Sequence, residues 1–176
     1  TAEDAEKSFK EEKERFMYSR FGNPTVDTFQ KRMALLEGAE ACWATSSGMS
    51  ALFTILMSCL KKGDRVVSAR ALFGSCHFII TEILPKFGID IKLVDGANLN
   101  QWENALKKKT KVVFFETPSN PCLEIVDIKS VSKLAHKSGA KVIVDNVFAT
   151  PILQKPLELG ADIIMYSATK HIDGQG

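Results

Sequence analysis

Asp145 and Lys170 each follow a short apolar run. Lys141-Val-Ile-Val144 leads to the aspartate, and Asp162-Ile-Ile-Met-Tyr166 leads to Ser167-Ala168-Thr169-Lys170. A carboxylate and a lysine at the carboxyl ends of two buried parallel strands meet in one crevice. A lysine amine there can form a Schiff base. The aspartate can pair with a protonated pyridine nitrogen, and Ser167 and Thr169 can hold a phosphate. Those are the parts of a pyridoxal phosphate (PLP) site. Taken singly, a strand-end Asp or Lys is more often a solvated loop residue.

Other segments carry chemistry of the same kind. Ser46-Ser47-Gly48-Met49-Ser50 stands where a loop becomes a helix. Free amides at a helix N-terminus favour an anion, and Gly48 permits close approach. Alone, this segment reads rather as a serine N-cap with no ligand. It is neither a P-loop nor a GxGxxG fingerprint, which disfavours a nucleotide. Phe73, beside Gly74, can stack on a flat cofactor, although a lone Phe is more often core. Asn120, between Pro118 and Pro121, can donate to an oxygen on a cofactor ring, or simply make a turn. Arg20, in Tyr18-Ser19-Arg20, offers a fork suited to phosphate, or a surface charge. His77, His136 and His171 are far apart, so no nucleophile triad and no metal set is expected; His136 reads as solvated.

The elements that must position these residues alternate. Ala2 to Met17 is Lys- and Glu-rich, an exposed helix or an arm that packs on another chain. Phe21 to Thr25 reads as a turn, and Val26 to Leu36 as a helix stopped by Gly38. Strands are expected at Ala41–Ala44, Arg65–Ala69, Ile89–Val94, Val112–Glu116, Val142–Val144 and Ile163–Tyr166. Helices are expected at Met49–Leu60, Ser75–Phe87, Leu99–Lys107 and Ile128–Lys137, with Pro85 ending the second of these early. This rhythm predicts an α/β fold: a mostly parallel sheet with helices on both faces. Ligands of such sheets bind outside the carboxyl ends of the strands, where the loops after Glu116, Asp145 and Tyr166 lie.

Composition sets the outer limits. A chain of 176 residues, 45% hydrophobic and 25% charged, suffices for one domain with a sizeable core. A net charge of +2, with no basic patch interleaved with aromatics, gives no reason to expect nucleic acid. Lys107-Lys108-Lys109 reads as the solvated C-terminal end of a helix. Cys42, Cys59, Cys76 and Cys122 form no CxxC pair, which suggests reduced thiols in the cytoplasm. No run approaches the length of a membrane span. The chain starts at Thr1 and stops within a few residues of Lys170, so it reads as part of a longer protein.

Together these residues resemble the trans-sulfuration, or Cys/Met metabolism, family of PLP enzymes. The likeness runs through Tyr18–Thr25, Ser46–Ala51, Glu116–Pro121, Val144–Phe148 and Asp162–Gln175, the last being the family's lysine signature. His171, where the family usually has Tyr or Phe, is a small departure. The resemblance implies the large domain of fold-type I PLP enzymes. Residues 1–24 would be an N-terminal arm reaching the neighbouring subunit, and residues 25–176 an incomplete PLP-binding domain. Lys170 would carry PLP as a Schiff base and then shuttle protons, and Asp145 would keep the pyridine nitrogen protonated. The amides of Gly48 and Met49, with Ser167 and Thr169, would bind phosphate. Asn120 would contact the phenolic oxygen and Phe73 would stack on the ring. Tyr18 and Arg20 would reach the phosphate of a neighbouring subunit, in a homotetramer built from two dimers.

Ala71–Cys76, Val147–Pro151 and Lys170–Gly176 are similar to the branch of the family that exchanges the succinate of O-succinylhomoserine for sulfide, giving homocysteine in methionine biosynthesis. Most of the family carries tyrosine in place of Phe73, so any proton transfer by that hydroxyl falls to Lys170 or another group. A lyase acting on methionine or cystathionine is the alternative within the family. A catalytically silent fragment is the alternative outside it, because the family's substrate-carboxylate arginine belongs to a C-terminal domain that these residues do not include.

Overall fold

The computed structural model describes residues 1–10, 12 and 15–175. Glu11, Lys13 and Glu14 of the expected arm, and Gly176 at the end of the Lys170–Gly176 motif, lie outside the described residues. The chain forms two compact units, Thr1–Ala44 and Thr45–Gly176.

The first unit holds α1 (Ala2–Phe9) and α2 (Pro24–Glu37). Thr1 and Asp4 close a capping box at the start of α1. The turn around Arg20 is followed directly by the α2 cap: Asn23 accepts the amides of Thr25 and Val26, and Pro24 takes the first helical position. Pro24 and Thr25, expected in the turn, are therefore helical. Gly38 ends α2 at φ 66, a conformation that costs glycine little. The strand expected at Ala41–Ala44 does not form. This stretch has no ladder partner among the described residues, Trp43 is 81% exposed, and the Ala44 amide donates to the Gln30 side chain at 2.8 Å instead.

The second unit is a five-stranded sheet in the order β2-β1-β3-β4-β5, with every pair parallel. Its strands are β1 (Arg65–Ala69), β2 (Asp90–Val94), β3 (Val112–Glu116), β4 (Lys141–Asp145) and β5 (Ile163–Met165). Alternate residues feed two cores, because successive side chains leave opposite faces of a strand. Val67, Val113, Phe115, Val142 and Val144 pack under α5 (Leu99–Leu106) and α6 (Ile128–Lys137), with Trp102 edge-on to Phe115 at 5.9 Å. Val66, Val112, Phe114, Ile143 and Met165 pack under α3 (Gly48–Cys59) and α4 (Gly74–Phe78). Both faces are thus covered, as a parallel sheet requires.

The helix expected at Ser75–Phe87 is α-helical only over α4. It widens into a π-turn at Ile79–Ile83 and tightens into a 3₁₀ turn at Leu84–Phe87. Pro85 has no N–H and its ring clashes with a carbonyl four residues back in a regular helix. The chain meets this by changing pitch rather than stopping, and the turn ends only at Gly88. A short helix α7 (Thr150–Leu153) between β4 and β5 has no counterpart in the sequence reading. His136 is exposed, as expected, and its Nε2 also lies 2.9 Å from Asp162 Oδ2, which accepts the Val142 amide.

Candidate active site

Strand register decides which side chains meet. Glu116 is opposite Asp145, and Asp145 is opposite Met165, at the carboxyl ends of β3, β4 and β5. By alternation, both carboxylates point to the face covered by α3 and α4. Asp145 is 4% exposed; Oδ1 accepts the Val147 amide at 3.1 Å, and the Cys76 thiol stands 3.9 Å from Oδ2. Burial, and then the neighbouring Glu116, push its pKa up to about 7; the Val147 amide, the Cys76 thiol and Lys170 pull less strongly the other way. Burial also raises the Glu116 carboxyl, against the backbone amides of Phe73 and Asn120. The Cys76 thiol is driven far above its ordinary range by burial and by the two carboxylates. Two carboxyls and a thiol packed together in low dielectric form a place where a cation is wanted.

Lys170 sits in a turn after β5, with its Nζ 3.2 Å from Ser167 Oγ. Ser167 is pressed against the start of α3: a Cβ built on Gly48 would lie 2.7 Å from Ser167 Cβ and 3.0 Å from its Cα. Only glycine permits that approach. Ser47 caps the helix by accepting the Ser50 amide, and the helical ladder begins with Ala51 donating to the Ser47 carbonyl. The amides of Gly48 and Met49 therefore have no hydrogen-bond partner among the described residues. Two free amides, the Ser167 hydroxyl and the exposed Thr169 on the same turn as Lys170 make a fitting anion cradle. A place for a cation, an anion cradle and an accessible lysine are the demands of pyridoxal phosphate, with its basic ring nitrogen, phosphate and aldehyde. The residues present fit the group.

Phe73 follows β1, and its amide donates to Glu116 Oε2 at 2.7 Å. Its ring is 39% exposed at the same strand ends. Asn120 lies half-buried on the loop after β3. Tyr18 and Arg20 belong to the first unit, where the Arg20 guanidinium lies 5.2 Å from the ring centres of both Tyr18 and Phe21.

Sequence reasoning missed several residues here. Glu116 ends an apolar strand just as Asp145 does, so the same signal was open to it. Cys76 had no signal. Asn146, fully buried, donates to the carbonyls of Thr150 and Gln154 and to the Tyr166 hydroxyl. Gln154 in turn donates to the Thr117 carbonyl and to Asn146 Oδ1. This network ties together the loops that follow β3, β4 and β5. The Phe148 and His171 rings, 6.5 Å apart, add a second link between the Asp145 and Lys170 loops.

Fold and site together fit a PLP-binding α/β protein, and comparison with known proteins gives the family. The model of the family described as Cys/Met metabolism PLP-dependent enzyme matches residues 1–176, and the chain belongs to that family. It is 58% identical over 172 residues to O-succinylhomoserine sulfhydrylase of Mycobacterium tuberculosis (strain CDC 1551 / Oshkosh), covering 98% of this chain and 42% of that protein. It is 48% identical over 177 residues to L-methionine gamma-lyase of Fusobacterium nucleatum subsp. polymorphum, covering 100% of this chain and 45% of that one. The crystal structure of metB from Corynebacterium glutamicum superimposes with a TM-score of 0.89 at 39% identity, over 92% of this chain and 42% of that one. The chain thus spans less than half the length of the relatives it matches, and its fold is that of the fold-type I PLP enzymes.

Proposed function

We propose that this chain supplies the cofactor-holding part of an O-succinylhomoserine sulfhydrylase, which converts O-succinylhomoserine and sulfide into homocysteine and succinate in methionine biosynthesis. The observation that carries the cofactor chemistry is Asp145, buried beside a second carboxyl with its proton affinity raised, at the strand ends that also bear the Lys170 turn. The choice of substrate leans on the 58% identity to the mycobacterial sulfhydrylase.

Bound here, pyridoxal phosphate supplies an electron sink for charge that develops on the substrate. Asp145 holds the ring nitrogen protonated. The Gly48 and Met49 amides, Ser167 and Thr169 would hold the phosphate, Phe73 would cover the ring and Asn120 would meet its phenolic oxygen. Lys170 would hold the cofactor's aldehyde end, and its amine would carry the protons at Cα and Cβ of the substrate. Succinate departs from Cγ, sulfide takes its place, and Lys170 returns the protons. Phe73 has no hydroxyl, so proton transfer there would fall to Lys170 or another group.

In the same proposal, residues 1–24 form an arm and residues 25–176 the PLP-binding domain. Tyr18 and Arg20 complete the phosphate site of a neighbouring subunit in a dimer of dimers. Four free cysteines suit a reducing cytoplasm. No helix among the described residues is long and apolar enough to cross a membrane. The likeness to methionine gamma-lyase supports a second reading, elimination rather than replacement.

Product analysis of the full chain with O-succinylhomoserine, with and without sulfide, separates the two. Homocysteine and succinate in equal amounts support the proposal. Ammonia and a 2-oxo acid as the main products, with sulfide present, refute it. Borohydride reduction of the PLP-loaded protein should place the label on Lys170.

A further inference from the structure

Resting on the PLP site proposed above, we propose that Glu116 is a positioning residue that clamps the Phe73 loop onto the strand-end row holding Asp145. Glu116 is 3% exposed at the end of β3, paired in register with Asp145. Its Oε2 accepts the Phe73 amide at 2.7 Å, across 43 residues of sequence. The Asn120 amide also favours its ionised form. One carboxylate at the end of β3 thus holds the backbone of Phe73, the residue proposed to cover the cofactor ring, in the loop after β1.

The surroundings of Glu116 argue against mere structural filler. Asp145, opposite it on β4, and Cys76, on α4, both feel its charge unfavourably, and burial disfavours that charge as well. A buried carboxylate in such company is costly unless its hydrogen bonds do something. No step of the proposed reaction uses Glu116. Its work is mechanical: it pins the Phe73 main chain while leaving the ring exposed to a ligand. α4 has no side-chain cap at Phe73, so the Glu116 contact is the side-chain anchor at that point of the chain.

The test compares Glu116→Ala, Glu116→Met and Glu116→Gln in the full chain. Three quantities are read: the dissociation constant for PLP, the induced circular dichroism of the lysine-linked cofactor band, and the thermal midpoint of the cofactor-free protein. Gln keeps an oxygen that accepts the Phe73 amide; Ala and Met do not, and Met preserves the volume should Ala fail to fold. Loss of a hydrogen bond to a charged acceptor corresponds to roughly a ten-fold or greater change in an equilibrium. Ala and Met should therefore weaken PLP by about ten-fold or more and flatten the dichroism. Gln should stay within about three-fold of the parent on the same scale and keep the dichroism. The proposal is overturned if Ala and Met lower only the thermal midpoint, with affinity and dichroism intact. It is also overturned if Gln is as damaging as Met, because charge and not the clamp would then matter. Absence of a lysine-linked band in the unsubstituted protein would instead refute the PLP site itself.

Discussion

Gly48→Ala tests the anion cradle at a single atom. Glycine at the start of a helix is ordinarily a weak choice, and alanine stabilises an exposed helical position by up to about 1 kcal/mol. Here the added Cβ would lie 2.7 Å from Ser167 Cβ and 3.0 Å from its Cα. Carbon atoms settle at roughly 3.5–4.0 Å, so the start of α3 and the Ser167 loop must part by about 1 Å. Overpacking of this kind costs about 1–3 kcal/mol, more than the helical gain, so the cofactor-free protein should lose stability. The same displacement pulls the Gly48 and Met49 amides away from an anion held jointly with Ser167. Each charge-assisted bond is worth about 1.5–3 kcal/mol, so losing one weakens PLP by roughly 10- to 100-fold. The assay is a fluorescence titration with PLP beside thermal melts of the cofactor-free protein. Ser167→Gly on the Gly48→Ala background removes the closest contact and should recover part of the thermal loss, but not the affinity, because the hydroxyl is gone. A Gly48→Ala protein that melts higher and binds PLP normally would refute both the contact and the cradle.

Asp145→Asn should change the pH dependence of the cofactor-free protein. With a folded pKa of about 7 against an ordinary 3.8, Asp145 makes the fold lose stability as pH rises between those values, on the order of 4 kcal/mol in all. Asparagine should flatten much of that slope in denaturant titrations from pH 4 to pH 8, while Glu116, shifted the same way, keeps the remainder. Cys122 is exposed and Cys76 is 1% exposed with a thiol hard to ionise. Alkylation followed by mass spectrometry should therefore label Cys122 early and Cys76 only on unfolding. Trp102→Ala empties a fully buried site against Phe115 and removes the indole donor to the Gly96 carbonyl, so the denaturant midpoint should fall by the equivalent of about 3–5 kcal/mol.

How much of this was legible in the sequence follows from which forces are local. The five paired strands were readable to within a residue or two because each contains β-branched residues and is followed within a residue or two by a polar one. Ala41–Ala44 has the same apolar look, but a strand needs a neighbour, and periodicity says nothing about neighbours. Pro85 marked a disturbance correctly, yet whether a helix stops or changes pitch depends on what it packs against. Asp145, Lys170 and Gly48 could be picked out because strand ends and helix starts are local features. Glu116 ends a strand as Asp145 does and carries the same local signal, but its contact with an amide 43 residues away was not readable. The Asn146–Gln154–Tyr166 network was hidden for the same reason.

The two halves of the candidate site make opposite electrostatic demands, and this limits what can fill it. Around Asp145, two carboxyls and a thiol share a buried space, and each raises the proton affinity of its neighbours or has it raised in turn. A neutral ligand leaves that conflict standing, and an anion worsens it. At the start of α3, two amides stand without partners among the described residues and the Ser167 hydroxyl lies close by, an arrangement that attracts negative charge. A ligand that satisfies both must be positive at one end and negative at the other. Lys170, turned toward Ser167 Oγ at 3.2 Å, adds the demand for an electrophilic carbon beside the anionic end. A nucleotide meets only the anionic requirement and a simple amine only the cationic one. A pyridinium aldehyde phosphate meets all three, which is why the site's own electrostatics, and not only its family, point to PLP.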